Sequence, residues 1–136
     1  DTFFFFFSET KEPFEPDYIV VAYGTNNWFG DTKENFTDAC NRFYQNLAAN
    51  YPNAEIFALT PIWRDDCMQE KKFGKFEDVE IGIREATKDL KNVRVISCFD
   101  FVPHDKNFLG DFWVHPSDEG FDHYYNNLYK AIIEQK

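Results

Sequence analysis

Two short segments carry residues whose types and spacing suit chemistry. Tyr23-Gly24-Thr25-Asn26-Asn27-Trp28 follows directly on an apolar run. A glycine at that point lets the backbone turn sharply. An asparagine amide offers two N–H donors, which hold a developing oxyanion without adding net charge. Asn26 and Asn27 also suit an ordinary turn. The second segment is Asp111-Phe-Trp-Val-His115-Pro-Ser-Asp-Glu-Gly120. A histidine just ahead of a helix start, with a carboxylate a few residues before it, suits a general base and its orienting acid. The same residues suit a plain helix cap, with Ser117 and Asp118 in the first turn and His115 on the surface.

Other residue types point to less. His104-Asp105 and Asp122-His123 fit no common ligand spacing, so neither a metal nor a cofactor is expected. Cys40, Cys67 and Cys98 lie far apart with no Cys-x-x-Cys, which indicates neither a zinc cage nor a redox pair. Three reduced, buried thiols are the expectation. Serine occurs only at Ser8, Ser97 and Ser117.

The elements that must position these segments are legible from periodicity. Tyr18 to Tyr23 is a continuous apolar run, the pattern of a strand buried on both faces in a parallel sheet. Asp31 or Thr32 can cap a helix running to about Asn50, with Phe36, Cys40, Phe43 and Leu47 on one stripe. Glu55 to Leu59 reads as a second strand. A polar loop from Arg64 follows, then a helix over about Phe76 to Leu90 with Val79, Ile83, Ala86 and Leu90 as its stripe. Val93 to Ile96 reads as a third strand. Pro116 suits the first turn of a last helix whose stripe is Phe121, Tyr125, Leu128 and Ile132. Such alternation predicts an α/β fold with a parallel sheet, and ligands in such folds bind beyond the carboxyl ends of the strands. Three segments fall there: Gly24–Gly30, Thr60–Arg64 and the loop leading to His115.

The chain has 136 residues, the size of one domain over 1–136. Aromatic residues make up 20%, enough apolar area to argue against disorder. A net charge of −10 repels phosphate backbones and anionic membrane surfaces, so no nucleic-acid partner is expected. The longest apolar run, Phe3 to Phe7, falls far short of the ~20 residues of a membrane span. It also lacks the flanks of a signal peptide, and a cytoplasmic location is the default expectation.

Taken together, Gly24-Thr25-Asn26-Asn27 resembles the Gly-x-Asn-Asp block of the SGNH/GDSL-type hydrolases, and His115-Pro116-x-x-x-Gly120 with Asp111 resembles that family's terminal Asp-x-x-His-Pro block. The resemblance covers about Pro16 to Ile133. It implies a three-layer, flavodoxin-like sandwich and the hydrolysis or transfer of ester-linked acyl groups. Carried over by motif, Asn26 is an oxyanion donor, His115 the base and Asp111 its orienter, with Gly24 and Asn27 in the same block. Trp28 and Trp63, at strand ends, are the candidates for a pocket taking a small ester or an acylated sugar.

Three departures qualify this. The family's Gly-Asp-Ser nucleophile block and its second, glycine-bearing block have no counterpart here. Asn27 stands where the family has Asp. Asp111 lies four residues before His115, where the family usually has three. The resemblance therefore implies a sandwich lacking the first one or two strands of the family fold, and a chain inactive by itself. The alternative is a non-catalytic module of the same fold that binds carbohydrate or lipid on Trp28, Trp63 and Trp113. A missing first strand exposes the edge of the Tyr18–Tyr23 strand. Either Phe3–Phe7 covers that edge or the protein forms a homodimer through it.

Overall fold

Apolar runs and helical stripes alternate along the chain, and each becomes one layer element. The computed structural model describes residues 13–134, so the expectation for Phe3–Phe7 lies outside the described residues. The elements are β1 (Tyr18–Ala22), α1 (Thr25–Gly30), α2 (Lys33–Asn50), β2 (Glu55–Leu59), α3 (Asp78–Thr87), β3 (Val93–Ile96) and α4 (Asp118–Tyr129). A π-helical turn, Lys130–Glu134, extends α4. The three strands form a parallel sheet in the order β1-β2-β3, with Tyr18 opposite Glu55 and Ile56 opposite Val93.

On one face, Val21, Ile56 and Ala58 pack against the stripes of α2 (Phe36, Cys40, Phe43, Leu47) and α3 (Val79, Ile83, Ala86). On the other face, Phe57, Leu59 and Ile96 pack against Tyr124, Leu128, Ala131 and Ile132 of α4 and its extension. The result is the α/β, three-layer sandwich of the flavodoxin-like type. Thr32 caps α2 by accepting from the Asn35 N–H, and Ser117 caps α4 by accepting from Gly120 N–H.

Several expectations need correction. β1 is buried on one face only: Val21 is 6% exposed, but Tyr18 and Val20 are each 52% exposed. The reason is coverage, since the apolar face of α4 meets β2 and β3. On α4 the packed side is Tyr124 and Leu128, whereas Phe121 and Tyr125 are 55% and 64% exposed. Pro116 lies just before the cap Ser117 and outside the helix. The turn after β1 continues as the short helix α1, and α3 starts at Asp78 rather than near Phe76.

Candidate active site

The turn after β1 is shaped by Gly24. Its φ of +121 lies in the region that side chains disfavour. A Cβ there would sit 2.6 Å from Val79 Cγ1. The turn feeds α1, where the Trp28 N–H donates to the Gly24 carbonyl and the Asp31 N–H to that of Asn27. Asn26 is exposed and Asn27 half-buried.

The second segment is a closed loop. Gly110 N–H donates to the His115 carbonyl at 2.7 Å, and Ser117 N–H donates to that of Phe108 at 2.9 Å. Within it, Phe112 and Trp113 both adopt φ of +54, a strained conformation for bulky side chains. The loop tightens enough to bring His115 Nδ1 to 3.2 Å from Asp111 Oδ1. The four-residue separation thus closes to hydrogen-bond distance. With the proton on Nδ1 directed at the carboxylate, Nε2 is left as an acceptor.

His115 lines a cavity of about 330 Å³ at the carboxyl ends of β1 and β2, together with Tyr23, Thr25, Ile62, Phe121 and Tyr124. A larger cleft of about 510 Å³, on the α3 side, is lined by Ser97, Cys67, Met68, Lys75 and Glu80 and contains no histidine. Of the two, the smaller one is lined by His115 and by Thr25 of the Gly24–Asn27 turn; Gly24, Asn26 and Asn27 do not line it.

The structure separates the three tryptophans. Trp28 is fully buried; its indole N–H donates to the Gly74 carbonyl at 3.0 Å and its ring meets Phe76 edge-on. It is a core residue and presents no surface to a ligand. Trp63 stacks on His104 at 5.2 Å and does not line the cavity of His115. Trp113 is half exposed beside His115, with the Lys106 ammonium 4.3 Å above its ring. His104 Nε2 lies 3.1 Å from Asp100, and His123 meets the Phe108 ring edge-on.

Nucleophiles can be traced individually. Ser97 Oγ donates to Glu80 at 2.7 Å and Ser117 is the cap of α4. Neither lines the His115 cavity, and Ser8 lies outside the described residues. Cys98 is fully buried and does not line the cavity, and burial pushes its thiol up to about 12. Burial pushes Cys40 up to about 12 as well, and raises Cys67. Burial also raises the Tyr124 phenol. All four stay protonated at neutral pH, so none is an activated nucleophile.

Two residues of this region were placed at the strand ends by the sequence but given no role. Thr25 lines the cavity, and Arg64 is buried against it. The only signal was that a charged residue directly follows the apolar Pro61-Ile62-Trp63 and sits two positions before an acid.

With the site's geometry in hand, comparison decides the lineage. Residues 6–123 match the GDSL-like lipase/acylhydrolase family. The chain belongs to that family. Solved structures of GDSL-type proteins share its fold at low identity. One is described as a GDSL-like lipase from Bacteroides ovatus ATCC 8483, with 20% identity and a TM-score of 0.70 over 90% of this chain and 36% of that one. A carbohydrate esterase family 3 protein from Talaromyces cellulolyticus has 16% identity and a TM-score of 0.66 over 88% and 58%. A carbohydrate esterase family 2 enzyme with a carbohydrate-binding domain, from Corynascus thermopiles (Myceliophthora fergusii), has 24% identity and a TM-score of 0.67 over 89% and 37%. This GDSL-like chain therefore spans between about a third and three-fifths of these neighbours' lengths. No curated protein matches its sequence. Among the described residues of this GDSL-like chain, no helix is long and apolar enough to cross a membrane.

Proposed function

We propose that this chain carries the base and the oxyanion donor of a GDSL-type ester hydrolase. The observation that carries the reading is the His115–Asp111 pair, 3.2 Å apart on the rim of the strand-end cavity. In this reading His115 Nε2 accepts the proton of an attacking hydroxyl and returns it to the leaving alcohol. Asp111 orients the imidazole, and Asn26 donates N–H to the oxyanion. Small esters and acylated sugars are the substrates the reading favours, supported by the carbohydrate esterases among the structural neighbours. With no Gly-Asp-Ser block in its 136 residues, the chain by itself is inactive.

The test is intact mass after fluorophosphonate treatment, alongside hydrolysis of p-nitrophenyl butyrate. The expected result is no adduct, and no hydrolysis above that of His115→Ala. A single adduct that disappears in His115→Ala would reveal an activated serine and overturn the inactivity. Wild-type hydrolysis well above the protein-free rate that persists unchanged in both His115→Ala and Asn26→Ala would overturn the assigned roles.

A second reading, a non-catalytic carbohydrate- or lipid-binding module, is favoured by Phe112 and Trp113, 86% and 50% exposed beside His115. Xylotriose binding that survives His115→Ala and is lost in Trp113→Ala would select it.

The proposal includes a homodimer through β1, which is the sheet's edge strand among the described residues and leaves Val20 half exposed. Sedimentation velocity is expected to give the dimer mass; a monomer at every concentration would sink this part.

A further inference from the structure

Arg64 is the only buried charged residue among the described ones, at 7% exposure. Each nitrogen of its guanidinium is engaged. Nε and Nη2 donate to the two carboxylate oxygens of Asp66, the latter at 3.1 Å. Nη1 donates to both the carbonyl and the hydroxyl oxygen of Thr25, each at 3.3 Å. The group lies 5.4 Å from the ring centre of buried Trp28. Taking a charge out of water costs several kcal/mol unless its partners are well placed. Pairing with Asp66 alone needs no burial, because an Arg–Asp pair two residues apart forms equally well in solvent. What burial adds is reach to Thr25, the first residue of α1, set between Gly24 and Asn26.

The neighbouring residue points the other way. Asp65 N–H donates to the Trp113 carbonyl at 3.1 Å, and its carboxylate meets Lys106 at 3.1 Å. Consecutive residues after β2 thus grip both strand-end loops: Arg64 holds the Gly24–Asn27 turn, and Asp65 holds the loop of His115.

We propose that Arg64 is a positioning residue, which through Thr25 fixes the Gly24–Asn27 turn and so sets the oxyanion donor relative to the base. The donor's role rests on the reading of Asn26 above; the hold on the turn does not. Arginine suits the task because its fork serves Asp66 and Thr25 at once, which a lysine ammonium cannot.

The experiment is nuclear magnetic resonance on the whole chain, comparing wild type with Thr25→Val and Arg64→Lys. Thr25→Val removes the hydroxyl acceptor and leaves the Arg64–Asp66 pair in place, so it remains informative where Arg64→Lys fails to fold. Exchange of the Trp28 and Asp31 amides, which are bonded into the turn, is expected to quicken about tenfold in Thr25→Val, with α2 and β2 amides unchanged. Arg64→Lys is expected to act in the same direction.

Acetate serves as the oxyanion probe. Its shift of the Asn26 side-chain amide is expected in wild type, and its affinity is expected to fall about tenfold in Thr25→Val. Unchanged exchange at Trp28 and Asp31 in Thr25→Val would overturn the proposal. So would acceleration spread evenly through α2 and β2, because Arg64 would then be a prop of the whole core. A wild type without an acetate response, but with local acceleration in the variant, would sink the Asn26 assignment and leave the hold on the turn standing.

Discussion

At Gly120 the spacing of His115-Pro116-x-x-x-Gly120 acquires a physical reason. A Cβ there would collide with the backbone carbonyl of Phe108 and press on Pro116 Cβ at 3.1 Å. The start of α4 packs directly on the loop that closes around His115, and only hydrogen fits between them. Gly120→Ala is therefore expected to destabilise the protein by about 2–3 kcal/mol in denaturant unfolding, the scale of overpacking against atoms that cannot yield. A loss below about 0.5 kcal/mol, the range of ordinary surface changes, would mean that the contact relaxes freely. At this scale the sequence was informative about His115 and Asp111, because both are near neighbours in one loop. It placed Arg64 at a strand end but gave it no role, since its partner Thr25 is 39 residues away.

Among the elements, α2 and α3 follow their stripes closely. Each has a broad partner surface and buries the residues that its own periodicity sets on one side. A polar tie joins their starts: Lys33 Nζ donates to Asp78 at 2.9 Å, and the other Asp78 oxygen accepts from Lys75 N–H. The bond from Lys33 holds the Asp78 carboxyl below the usual carboxylate range, burial working against it and the Lys75 N–H adding to it. A carboxyl whose folded value is depressed stabilises the protein above its unfolded pKa, and that stability is lost as pH falls through the folded one. Asp78→Asn should thus cost about 1 kcal/mol at neutral pH. The gap to wild type should close as the solution is acidified below about pH 4. Thermal unfolding across that window checks it; a gap that persists in acid would assign the cost to packing. Of the stripe expected on α4, Leu128 and Ile132 pack as predicted, joined by Tyr124 and Ala131, because its apolar side chains outnumber the surface they have to cover. Tyr124 and Leu128 reach Phe101, Phe57 and Leu59, and Phe121 and Tyr125 are left outside.

For the whole molecule, two helical layers enclose a three-stranded parallel sheet and set the ends of β1 and β2 toward the cavity of His115. The order of strands and helices, the parallel class, the caps at Thr32 and Ser117, and the placing of both chemical segments beyond the strands were all legible in the sequence alone. Periodicity, turn chemistry and capping are local properties, complete within a few residues of chain. Only the tertiary structure decided which side chains are covered. It buried Trp28, turned Trp63 onto His104, exposed one face of β1 and drew Arg64 inward against Thr25. Burial belongs to pairs of surfaces brought together from distant parts of the chain, and no residue's own spacing records whether such a partner arrives.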